Sequence, residues 1–166
     1  MHQTSTVQLI TVKKMLEAYK AEKADRLILL GDLLYHGPRN DLPKDYAPKE
    51  VIAMLNEHRD DLYVVRGNCD AEVDQMVLHF PIMADYCIIM DGERTIYASH
   101  GHVYHEENLP PLKNGDIFIH GHTTCAACGK ERKLYHSESG FCFHSQGRKY
   151  SHLCGTGGRS VLNPRI

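Results

Sequence analysis

The chain has 166 residues, with 19 Lys and Arg against 21 Asp and Glu, a formal net charge of −2. That length carries one domain with a real core, and the near balance of charge argues against a nucleic-acid-binding patch. No apolar run reaches membrane-spanning length and no basic segment followed by an apolar stretch opens the chain, so a cytoplasmic protein with reduced thiols is expected.

In chain order, "KKMLEAYKAEKA" places Met15, Leu16 and Tyr19 at helical spacing among charged residues, which predicts an amphipathic helix. "DRLILLGD" is a short aliphatic run ending in Gly-Asp, the pattern of a buried strand opening into a loop. The segment "LLYHGPRNDLPKDYAP" is rich in Gly, Pro and Asn and reads as a loop. "APKEVIAMLNEHR" has Pro48 near a helix start and Val51, Ile52 and Leu55 on one face. "DLYVVRGNCD" is again a strand followed by a polar loop. "YCIIMDGERTIYASHGH" predicts a hairpin turning at Asp91–Gly92. "GDIFIHGH" is one more apolar strand. Strands and helices alternate, so the class is α/β.

Four of these strands end alike, in "GD", "GNCD", "SHGH" and "GHTT". Function gathers at the carboxyl ends of strands in open α/β sheets, and a Gly there lets the backbone turn sharply. Asp32, Asn68, His100 and His122 are therefore expected to converge. Each has an ordinary reading alone: Asp32 as a helix cap, Asn68 as a turn residue, either His as a surface group. Together they form a mixed oxygen and nitrogen set suited to Mn²⁺, Fe²⁺, Zn²⁺ or Ni²⁺ rather than Ca²⁺. The 12 histidines of the chain point the same way.

"GDLLYHGPRN", "VRGNCDAEVDQMVLHFP", "SHGHVYHEENLP" and "HGHT" resemble the calcineurin-like metallophosphoesterases, in particular the small bacterial YfcE-type phosphodiesterases. The resemblance spans Lys13 to Thr123. It implies a β-sandwich flanked by helices, and hydrolysis of a small phosphodiester by a metal-bound hydroxide. It also implies two divalent ions, Mn²⁺ foremost, and homo-oligomers of unspecified size. By resemblance, Asp32 bridges the metals while Asn68, His100 and His122 complete the second. Cys69 stands where many relatives have a catalytic His. Arg39 is a candidate for contact with a substrate phosphate, or an ordinary exposed loop arginine. His102 is placed to face the substrate or to support a ligand. Ser99 and Asp70 are placed to orient their neighbours.

Two family elements are missing. The Asp-x-His that supplies the first metal has no counterpart before Lys13, and Thr124 replaces the second His of Gly-His-x-His. Shifting the frame by one base lets the codons of residues 1–12 spell A-S-D-I-H-G. The opposite shift after Thr123 permits G-H-T-H and then N-P-G-S. The chain is therefore divided into an out-of-frame N-terminus (1–12), a metallophosphoesterase-like core (13–123) and an out-of-frame, poorly structured tail (124–166). The core is expected to lack its first strand, leaving "RLILL" with an open edge, and its activity to be impaired. A non-catalytic remnant or binding scaffold of the same fold is the alternative. For the tail, the alternative is a zinc site from Cys125, Cys128, Cys142, His144 and Cys154, although no second C-x-x-C is present.

Overall fold

The computed structural model describes residues 9–34 and 46–122, together with the backbone of four later strands, Lys133–His136, Phe141–Ser145, Lys149–Leu153 and Arg159–Leu162. Helix α1 spans Leu9–Glu22. It begins ahead of Lys13, and Val12, Met15, Leu16 and Tyr19 are buried along one stripe, the i, i+3, i+4, i+7 spacing of an amphipathic helix. Strand β1, Arg26–Leu29, follows. Helix α2, Pro48–Glu57, has Pro at its start and Glu50 in its first turn, where a missing N–H is harmless and a negative charge is favoured. Strand β2 is Leu62–Val64 and the short helix α3 is Glu72–Gln75. Strands β3 (Tyr86–Asp91), β4 (Arg94–Ser99) and β5 (Ile117–His120) complete the fully described part. The later strands are β6 to β9 in chain order.

The strands form two sheets, ordered β2-β1-β7-β8-β9 and β3-β4-β5-β6. Strand β1 is the pivot of the fold because it is buried on both faces. Leu27 and Leu29 join Val12, Met15, Leu16, Val51 and Leu55 in a core beneath the helices. Ile28 and Leu30 point the other way, packing with Val65, Ile89, Ile96, Ala98, Ile117 and Ile119 between the sheets. A period of two along a strand sends alternate residues to opposite faces, which is why an unbroken aliphatic run suits this position. The result is a β-sandwich with helices on one side, the architecture the resemblance implies.

Three expectations are corrected in detail. The edge of "RLILL" is not open: β7 pairs antiparallel along it, with Leu27 opposite Phe143 and Leu29 opposite Phe141. The segment after Thr124, expected to be poorly structured, contributes β6 to one sheet and β7 to β9 to the other. Strands β7, β8 and β9 pair with their neighbours in sequence, but the β1–β7 pairing spans most of the chain, so the brief alternation of Phe141 and Phe143 could not announce it. The β3–β4 turn falls at Gly92–Glu93, since Asp91 pairs with Arg94. Gly92 has φ 64°, which a two-residue hairpin loop demands at its first position.

Candidate metal centre

The site lies at the carboxyl ends of β1, β2, β4 and β5. The β1 and β2 loops touch each other there. A Cβ on Gly31, whose φ is 89°, would strike the Gly67 backbone, and one on Gly67 would strike the Asp32 carboxylate. Asp32 itself is left-handed, with φ 56°. Asp is among the non-glycine residues that visit this region most readily, and here its surroundings hold it in place.

The holding contacts are explicit. Asp32 N–H donates to Asp70 Oδ2 at 2.8 Å, Leu33 N–H to Asp70 Oδ1 at 2.9 Å, and Gly67 N–H to Asp70 Oδ2 at 2.7 Å. In return, Cys69 N–H donates to Asp32 Oδ1 at 2.9 Å. Burial pushes the Asp70 carboxyl above its usual range, while the three backbone donors pull it back.

Asp32 and His100 form the buried floor of the site, and Asn68 and His122 its exposed rim. His100 Nε2 lies 2.9 Å from Asn68 Oδ1, 3.0 Å from His122 Nδ1 and 3.5 Å from Asp32 Oδ2. The other ring nitrogen, Nδ1, meets the carbonyl oxygen of Leu30. A carbonyl only accepts, so Nδ1 carries a proton, and in the neutral ring Nε2 turns its lone pair inward. Asn68 Nδ2 donates to Cys69 Sγ at 3.3 Å, which aims its oxygen inward as well. Four electron-pair donors thus face one another. Such a set repels itself without a proton or a cation among them, and its chemistry fits a divalent transition ion. The candidate ligand atoms of Asp32, His100 and His122 all lie within 4.8 Å of one another.

Burial, then the neighbouring His100, lowers the pKa of both His122 and His102, with Asp32 opposing. Both rings are thereby held toward the neutral form, which is the ligating form of imidazole. His102 is exposed, its ring centroid 5.3 Å from that of His100 and 6.3 Å from that of His122, so it borders the centre on the solvent side. Ser99 Oγ donates to the Tyr104 carbonyl at 3.2 Å and so braces the loop that carries His102.

The structure brings Asp32, Asn68, His100 and His122 together. Arg39 and Thr124 lie outside the described residues, as do Cys125, Cys128 and Cys154, while Cys142 and His144 are described only as backbone in β7. Sequence reasoning missed the Leu30 carbonyl. A main-chain acceptor has no side-chain signature, so nothing in the sequence marks it.

Comparison with known proteins gives the family. Residues 2–154 match the profile of the calcineurin-like phosphoesterase superfamily domain. Phosphodiesterase YfcE of Escherichia coli K12 is 41% identical over 132 residues, covering 80% of this chain and 72% of that protein. The protein of the same name from Escherichia coli O157:H7 gives the same figures. The solved structure of Yfce, a phosphoesterase from E. coli, superposes with a TM-score of 0.81 at 32% identity, covering 96% of this chain and 94% of that one. The chain therefore belongs to the calcineurin-like phosphoesterase superfamily.

Proposed function

We propose that this chain hydrolyses small phosphodiesters with the help of divalent metal held by Asp32, Asn68, His100 and His122. The observation that carries the reading is the meeting of Asn68 Oδ1, His122 Nδ1 and Asp32 Oδ2 around His100 Nε2, with Leu30 tying the opposite nitrogen. The name of the 41% identical relative supplies the reaction class. When bound, such ions supply Lewis acidity toward phosphoryl oxygens and activate water. Mn²⁺ and a pair of ions follow from the family resemblance. The protein's own share is placement. Asp32 brings a carboxylate to the floor, His100 is locked in one tautomer, and His102 stands at the rim to meet the substrate. Arg39 is assigned to a substrate phosphate, where its fork of donors suits paired oxygens.

The near-neutral charge supports a small substrate rather than nucleic acid. Among the described residues no helix is long and apolar enough to cross a membrane, and a cytoplasmic location belongs to this reading. A homo-oligomer also belongs to it, supported by the exposed Tyr86, Ile88 and Met90 on one strand.

The out-of-frame origin of residues 1–12 and 124–166, with impaired activity, completes the proposal. What supports it is that the shifted frames spell the missing Asp-x-His and Gly-His-x-His. Resequencing the gene across both junctions tests it, and unambiguous reads that keep the present frame at both would reject it.

The activity itself is tested with bis(p-nitrophenyl) phosphate, with Mn²⁺ and with EDTA, on the wild type and on His100→Ala. Turnover that needs Mn²⁺ and vanishes in H100A is expected. Metal binding without turnover would favour the scaffold alternative, and absence of metal binding would sink the reading.

A further inference from the structure

We propose that Asp70 is the positioning residue of the metal centre: its carboxylate clamps the β1 and β2 loops together and thereby sets the direction of Asp32. This rests on the metal-dependent reading above. Two observations carry it. The first is connectivity. One buried carboxylate, 2% exposed, accepts from the N–H of Asp32, Leu33 and Gly67, and those donors belong to two segments that are otherwise far apart in sequence. The second is conformation. Asp32 sits at φ 56°, and a donated N–H on one side with an accepted Cys69 N–H on the other pins its backbone and one carboxylate oxygen. The remaining oxygen, Oδ2, is then the one directed at His100.

Asp70 is not itself a ligand. Its two oxygens are already engaged by three backbone donors, and the cluster of candidate ligand atoms contains Asp32, His100 and His122 without it. Its effect on metal must therefore pass through Asp32 and through Asn68, which lies on the same clamped β2 loop. Loss of such an outer partner typically weakens metal affinity about 10–100-fold.

The chain contains its own control. Asp116 also joins two segments, accepting from Thr95 N–H at 3.0 Å and from Lys113 N–H at 2.8 Å. It lies at the start of β5, beside the start of β4, whereas the metal centre lies at the ends of those strands. A carboxylate that merely stabilises the fold should behave like Asp116.

The test compares the wild type, Asp70→Asn, Asp70→Glu and Asp116→Asn as full chains. Mn²⁺ dissociation constants are read from the electron paramagnetic resonance of free Mn²⁺, and apo melting temperatures from circular dichroism. In D70N an amide N–H₂ faces at least one backbone N–H. In D70E the carboxylate keeps its charge but is displaced by a methylene. Both are expected to bind Mn²⁺ about 10–100-fold more weakly. D116N is expected to melt earlier while keeping the wild-type affinity. If D70N does not fold, D70E decides alone. Wild-type affinity in the folded Asp70 variants, or an equal loss in D116N, overturns the inference while leaving the metal reading intact. A wild type that binds no Mn²⁺ overturns both.

Discussion

His100 Nε2 and Asn68 Oδ1 stand 2.9 Å apart, two electron-pair donors from different strand ends facing each other across the centre. Only a cation or a proton makes that approach favourable. Removing either partner should therefore weaken metal binding, and the two should differ. His100→Ala also leaves the buried Leu30 carbonyl without its ring partner, at a cost of about 1–3 kcal/mol. Asn68→Ala removes an exposed side chain, the proposed ligand, together with its donation to Cys69 Sγ. We expect both to lose more Mn²⁺ affinity than the about 10–100-fold of an outer-partner substitution, and H100A alone to melt clearly earlier. Calorimetric metal titration and thermal melts check this, and wild-type affinity in either variant would contradict it.

Gly67 supplies a second prediction. A methyl group there would overlap the carboxylate and backbone nitrogen of Asp32, and both belong to a close contact between loops that leaves no slack. Gly67→Ala should destabilise by about 1–3 kcal/mol, the usual range for overpacking, and should lower metal affinity by turning Asp32. Urea unfolding and Mn²⁺ titration measure the two effects separately. An unchanged midpoint would show that the loops part easily.

Alkaline pH should destabilise the fold. Burial, with help from Tyr104 and Tyr86, pushes the Tyr97 phenol above its ordinary range, and burial does the same to the Cys87 thiol. The folded state then holds these protons more tightly than the unfolded chain. Stability is therefore flat below the unfolded values, about 8.5 for Cys and 10 for Tyr, and falls as pH rises past them. Urea midpoints at about pH 8 and about pH 10.5 bracket those values, and the midpoint should drop between them. Tyr97→Phe should lessen the drop, and an equal drop in Y97F would assign it elsewhere.

Thr124 stands where the family pattern has the second His of Gly-His-x-His. Thr124→His restores an imidazole to that motif by one substitution. If the first metal lacks ligands in this chain, T124H should bind Mn²⁺ more tightly or in greater number, and should raise turnover of bis(p-nitrophenyl) phosphate. Equal metal content and equal rate in both proteins would mean that Thr124 is not the deficit.

The sequence by itself determined the parts whose cause is local. Met15, Leu16 and Tyr19 mark one face of α1 by spacing alone, whereas the burial of Val12 at its start came only from the structure. The run Leu27–Leu30 declares a strand buried on both faces, and Gly-flanked polar residues at strand ends declare where the chemistry collects. Tertiary structure decided what depends on distant partners. One of the two strands beside β1 is β7, a pairing across most of the chain that the brief alternation of Phe141 and Phe143 could not specify. Asp32 is left-handed, and its N–H is taken by Asp70, thirty-eight residues on. His100 presents Nε2 because the Leu30 carbonyl, seventy residues back, takes Nδ1–H. A side chain's identity is local, but its direction and tautomer are set by whichever donors and acceptors the fold brings within hydrogen-bond reach.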